Sequence, residues 1–197
     1  MNSRVTVRLN LSAEQAAQLR RLQAAFAEAC NFIAPMVVQT RCWNRVGLHH
    51  LAYRPLREKF ASLGSQMACN AIYSVSRACR AVYQEPSSKW FVGRQPAAAL
   101  PCLRFPNSAP VFFDRHTLSL KGGQLSLFTL DGRMRFKLAV GAEVEQRFAH
   151  EKLKDVMLLG NGDQYSLRFV FAMKDTQQPD ENEPEYEVDV YSLEHAA

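Results

Sequence analysis

Polar and apolar residues alternate over Arg4-Val5-Thr6-Val7-Arg8-Leu9, the period-two pattern of a half-buried strand. The period then changes. Ser12 supplies an N-cap with Gln15 three residues on, a capping box, and Leu19, Leu22, Phe26, Cys30 and Ile33 follow at helical spacing. Arg20 and Arg21 fall off that stripe, and Pro35 is expected to end or kink the helix. A loop through Trp43, Asn44 and Gly47 leads to a second helix over Leu51 to Leu63. Gly64 punctuates, Ser65 caps, and a third helix covers Gln66 to about Gln84. Its apolar face is Ala68, Ile72, Val75, Cys79 and Val82, with Gln66, Asn70, Arg77 and Arg80 mainly outside it.

Residues 85–110 change character. Pro86, Pro96, Pro101, Pro106 and Pro110 forbid a helix and predict an extended connector. It interleaves Lys89, Trp90, Phe91, Arg94, Arg104 and Phe105. Two readings stand side by side: the rings stack on the bases of a single strand while Arg meets phosphate, or they pin the connector to the core.

From Val111 the pattern is β. Short strands are expected at 111–113, 117–120, 124–128 and 133–138, with Gly122-Gly123 and Asp131-Gly132 as hairpin turns. A further pair, Asp155 to Leu159 and Tyr165 to Met173, is joined by Gly160-Asn161-Gly162-Asp163. Strands this short with turns this tight suggest a small barrel or strongly curled sheet. The stretch from Asp175 to Glu187 reads as a linker or disordered end.

Composition bounds the class. The chain has 197 residues, 47% of them hydrophobic and 22% charged, values of a globular protein with a real core. No apolar run approaches the roughly 18 residues of a membrane span, and the N-terminus lacks the apolar centre of a secretory signal. The expectation is a soluble, cytoplasmic protein with no membrane partner. The net charge of +5 conceals an asymmetry: residues 1–110 carry +10, residues 111–174 carry +3 and residues 175–197 carry −8. Arginine supplies 17 of the 24 basic side chains, and its planar fork suits bidentate phosphate contact. A basic body with an acidic end suggests a polyanionic partner, against the plainer reading of a solvated surface with an acidic linker.

The chemistry of a self-contained active site is not visible. There is no Walker loop, no GxGxxG after a strand, no GxSxG and no HExxH. Cys30, Cys42, Cys69, Cys79 and Cys102 are odd in number and contain no CxxC pair, which argues for reduced structural thiols rather than disulfides or zinc. His49-His50 reads as a loop pair, so no metal and no cofactor is expected. Asp114-Arg115-His116 reads as a strand-start turn with an ion pair. Glu143, Glu145 and Asp155 have no nucleophile or third ligand beside them in the pattern.

The order of these pieces carries a resemblance. A first strand leads into a capped helix ending in Cys30-Asn31-Phe32, then into a basic helical block opening with Ser65-Gln66. FDRHTLSLKGGQLSLFTLDGRMRFKLAVG at 113–141 follows, then LKDVMLLGNGDQYSLRFVF at 153–171. Over about residues 4–174 this resembles the N-terminal half of TnpB, the transposon-encoded RNA-guided nuclease, and of related compact type V CRISPR effectors. The resemblance implies an α+β fold: a small oligonucleotide-binding-type wedge β-barrel with an inserted α-helical recognition lobe. Residues 1–10 would be the first barrel strand, 11–108 the helical lobe and connector, 109–174 the rest of the barrel, and 175–197 an acidic linker or tail. The implied partners are a structured guide RNA and target DNA.

By position Ser65, Gln66 and Asn70 match where that family reads flanking DNA, although no Lys stands there. Arg77, Arg80 and the stretch with Lys89, Trp90 and Arg94 would contact backbone. Arg4, Arg8, Arg54, Arg57, Arg104, Lys121, Arg133 and Arg135 complete the expected nucleic-acid surface. The family's RuvC nuclease domain would begin after Tyr191-Ser192-Leu193, so cleavage is not expected from these residues; a separate RuvC-type chain is a candidate partner. The rival readings are a protein-interaction module whose basic half grips an acidic partner, and an orphan enzyme built on His116, Asp114 and Glu143.

Overall fold

The computed structural model describes residues 3–138, 140–162, 164–172 and 190–191. In chain order the elements are β1 (Ser3–Arg8), α1 (Ala13–Thr40), α2 (Arg45–Lys59), α3 (Ser65–Tyr83), β2 (Cys102–Leu103), β3 (Val111–Phe113), β4 (Leu118–Lys121), β5 (Gln124–Thr129), β6 (Gly132–Lys137), α4 (Ala142–His150), β7 (Lys152–Asn161), β8 (Gln164–Ala172) and β9 (Val190–Tyr191). The fold is α+β, and every strand pairing is antiparallel. The described residues fall into two compact units. One takes the chain up to Gln23 and from Pro110 to 172; the other takes 24–109 with 190–191. No helix among the described residues is long and apolar enough to cross a membrane.

In the first unit a four-stranded sheet runs β1-β8-β7-β3 and a three-stranded sheet runs β4-β5-β6. Tyr165, Leu167, Phe169 and Phe171 alternate along β8, so they share one face, and all are buried. Phe148 of α4 meets Phe169 and Phe171 edge-on, at 4.7 and 5.2 Å between ring centroids. This short helix is absent from the sequence reading, because its nine residues show only two apolar side chains, Val144 and Phe148, at helical spacing. The capping box forms as the pattern predicts. The Ser12 N–H donates to Gln15 Oε1 at 2.9 Å, and the Gln15 N–H donates to Ser12 Oγ at 3.2 Å. Further along α1, Gln23 is 2% exposed and donates through Nε2 to the Gly160 carbonyl at 3.1 Å. Its Oε1 accepts from the Tyr165 hydroxyl at 3.2 Å, which satisfies both ends of a buried amide.

The second unit is mainly helical. α1 continues past Pro35 to Thr40 rather than ending there, because Ile33, Ala34 and Val37 are buried on both sides of the proline. Packing of that face outweighs the single backbone bond that proline removes. α2 starts six residues before the predicted Leu51, since Asn44 caps it by accepting from the Gly47 N–H at 2.7 Å. His49 and His50 are therefore helical rather than in a loop. α3 is capped by Gly64, at φ +76°, and not by Ser65.

The largest departure is the burial of α3. Asn70 is 8% and Arg77 is 7% exposed, so neither lies outside the buried surface as the helical wheel suggests. Ser74 and Ser76 are buried as well, and the Ser76 hydroxyl donates to the Trp43 carbonyl at 2.6 Å. Small side chains let neighbours approach the helix on its polar side, which an apolar-stripe reading does not detect. The connector is held by polar clamps. Asn31 Nδ2 donates to the Phe105 carbonyl and its Oδ1 accepts from the Phe105 N–H, both at 2.8 Å. Residues 190–191, inside the segment read as an acidic linker or tail, form β9 against β2, Tyr191 opposite Cys102. The stretch 175–187 lies outside the described residues.

Candidate nucleic-acid interface

Two tight turns build the β4-β5-β6 sheet. Gly122 and Gly123 sit at φ +54° and +70°, the conformation of a two-residue type I′ loop, with Lys121 paired to Gln124 across it. The next loop differs from expectation. Leu130 and Asp131 form it, and Gly132 at φ +109° is the first residue of β6, paired with Thr129. Glycine adopts this positive φ without the steric cost a side chain would bring. The Asp131 carboxylate is ion-paired with Arg21 of α1.

Register then sorts the side chains. Leu118, Leu125, Leu127 and Met134 are buried on one face. The opposite face presents three cross-strand rows: Lys121-Gln124-Lys137, then Ser119-Ser126-Arg135, then Phe128-Arg133. Lys121, Arg133, Arg135 and Lys137 are all exposed, and Phe128 is half-buried. These rows hold four cations, three hydroxyl or amide side chains, one ring and no carboxylate.

The four cations are not equivalent. Arg133 Nε donates to Ser126 Oγ at 2.9 Å, Nη2 to the Ser126 carbonyl at 3.1 Å and Nη1 to the His116 carbonyl at 3.1 Å. Its guanidinium is thus laid across β5 as a clamp, with three of five donors committed. Among the described residues no such tether holds Arg135, Lys121 or Lys137. Lys137 was not singled out from the sequence, yet it shares strand parity with Arg133 and Arg135 and that signal was sufficient to find it.

The remaining expected contacts are dispersed. Arg4 and Arg8 are exposed on the edge strand β1, with Arg168 paired across from Thr6. In the second unit Arg54 pairs with Glu58 at 3.1 Å, and Arg57 donates to the Ala61 carbonyl at 3.3 Å. Ser65 is exposed, and Gln66 and Arg80 are half-buried. Asn70 lies against Met67 Sδ at 3.8 Å, and Arg77 donates to the Tyr73 hydroxyl at 3.1 Å; burial removes both from the surface on which a DNA contact was expected. Lys89 sits 4.8 Å over the half-buried Trp90 ring, and Arg94 donates to the Ser88 and Pro86 carbonyls. Arg104 is exposed. Phe105 is buried, so this ring pins the connector to the core.

Of the acid–base candidates, Asp114 is engaged in a turn. Asp114 Oδ1 accepts from the backbone N–H groups of His116 and Thr117, both at 3.0 Å, and from Thr117 Oγ1 at 2.9 Å. That is a turn-forming carboxylate. The side chains of Glu143 and Glu145 lie outside the described residues. His49 stacks on Tyr53 at 4.8 Å, with Cys69 Sγ 3.8 Å from its Nε2. Among the described residues no three His, Cys, Asp or Glu side chains converge as a metal site. An open groove of about 620 Å³ between α1 and α2 is lined by Phe32, Pro35, Met36 and Phe60, with Lys59 Nζ 4.6 Å over the Phe32 ring. No protein-family model matches the chain, and no curated protein matches it in sequence.

Proposed function

We propose that the chain is a non-catalytic nucleic-acid-binding protein, the wedge and recognition portion of a TnpB-like RNA-guided system. On this reading the strands serve as the oligonucleotide-binding wedge barrel, the helices as the recognition lobe, and the partners are a structured guide RNA, target DNA and a RuvC-type nuclease chain. One observation carries the nucleic-acid part: four exposed cations and no carboxylate on the outward rows of β4-β5-β6. Opposite charges normally intersperse on a protein surface, so a one-sign face of this kind attracts a polyanion. The TnpB-like part rests on motif order alone.

Sequencing the RNA that copurifies with the protein from its host tests the whole reading. A discrete structured species encoded beside the gene supports it; bulk ribosomal fragments reduce it to non-specific basic binding. The groove between α1 and α2 favours a second reading, a protein-interaction module. A partner that persists in a pull-down after nuclease treatment supports that reading against the first.

A further inference from the structure

Resting on that nucleic-acid reading, we propose that the outward face of β4-β5-β6 holds the backbone of one unpaired polynucleotide strand running along β6, with Phe128 offered to a base. Arg133, Arg135 and Lys137 occupy alternate positions of a single strand and so share a face. Alternate residues of an antiparallel strand advance about 6.8 Å, so the row is straight and roughly 14 Å long. Successive phosphates of one polynucleotide strand lie at a comparable through-space separation, so cations at this spacing track neighbouring phosphates of a single backbone.

The ring points to the same partner. Phe128 lies directly across from Arg133 on the same face, and an aromatic face stacks only on a base that is not already paired and stacked. The remaining side chains of these rows, Ser119, Ser126 and Gln124, carry no negative charge to oppose a backbone. Charge complementarity selects a polynucleotide backbone, and the ring selects an unpaired strand. Arg135 and Lys137 make the direct phosphate contacts, whereas the clamped Arg133 contributes charge and holds Ser126 in place. The contact is to sugar–phosphate and ring, so RNA and DNA single strands both fit.

Fluorescence anisotropy of the full chain with oligo-uridine, oligo-thymidine and a mixed-sequence duplex of equal length tests this. The double variant Arg135→Ala with Lys137→Ala is expected to reduce the slope of log K against log salt by about 1.4, at roughly 0.7 per single-strand phosphate. Between about 50 and about 200 mM salt the unaltered chain therefore loses about sevenfold more affinity than the variant. Phe128→Leu weakens both single strands fivefold or more and leaves the duplex unchanged. Arg135→Lys with Lys137→Arg restores the slope, and Lys154→Ala on β7 leaves it unaltered. Binding with an unchanged slope in the double variant, or duplex bound as tightly as single strands, overturns this inference while the broader reading stands. Absence of binding to any of the three probes at low salt overturns both.

Discussion

Replacing Gly160 by alanine tests how the β7-β8 hairpin is held. Gly160 has φ +137°, and a Cβ built there stands 2.1 Å from the Gln164 carbonyl oxygen and 2.9 Å from Tyr165 Cα. Both obstacles are backbone atoms of the facing strand, so no side chain can swing aside. The unfavourable φ costs about 1–3 kcal/mol. Relieving the overlap opens a ladder in which Gly160 pairs with Tyr165, and overpacking of this kind costs about 1–3 kcal/mol more. The same movement stretches the bond from Gln23 to the Gly160 carbonyl, whose loss leaves a buried amide short of a partner. The expected destabilisation is about 3–5 kcal/mol, a large share of the roughly 5–15 kcal/mol of a typical domain. Gly162→Ala is the control. Its φ is +67° with no atom within 4 Å of a new Cβ, so it costs only about 1–2 kcal/mol. Urea unfolding followed by far-ultraviolet circular dichroism measures both. A Gly160→Ala protein within 1 kcal/mol of the parent, or equal to Gly162→Ala, refutes the reasoning.

Ser12→Ala removes one arm of the capping box and costs about 1 kcal/mol in the same urea experiment. Asn31→Ala breaks both bonds to Phe105 and costs about 2–3 kcal/mol, with increased proteolytic cutting in the connector as its second readout. Arg133→Ala destabilises the chain by about 1 kcal/mol, because the clamp is exposed, whereas Arg135→Ala leaves stability unchanged. Burial raises the Cys30 and Cys79 thiols well above their ordinary value of 9.0. In the unfolded chain these thiols ionise above about pH 9 and in the folded protein they do not, so their contribution is full below that pH. Stability is expected to fall as pH rises past 9, by about 1.4 kcal/mol per pH unit for each thiol, and equilibrium unfolding at pH 8 and 10 measures it. In a thiol-reagent assay on native protein Cys42 and Cys69 react first, and Cys30, Cys79 and Cys102 react on unfolding.

The candidate face shows how far local reading reaches. Alternation placed Arg133 and Arg135 on one side of a strand, and Gly122-Gly123 marked the turn that pairs Lys121 with Gln124. Taking Asp131-Gly132 as the second loop shifts β6 by two residues. The same side chains then face outward, but Arg135 rather than Arg133 stands opposite Phe128. Nothing local distinguishes the free guanidinium of Arg135 from the clamped one of Arg133. That difference depends on the Ser126 and His116 carbonyls, brought in from β5 and from the turn before β4.

The sequence by itself determined the capping box at Ser12 and Gln15, the presence of strands β3 to β8, and the one-sign face of β6, because each depends on residues within a few positions of one another. Tertiary structure alone decided that α1 runs through Pro35, that Asn70 and Arg77 of α3 are buried, and that Gln23 meets Gly160 and Tyr165. These outcomes depend on what packs against a helix from far along the chain. Hydrophobic periodicity encodes which face is apolar, but it does not encode which polar face a neighbour covers.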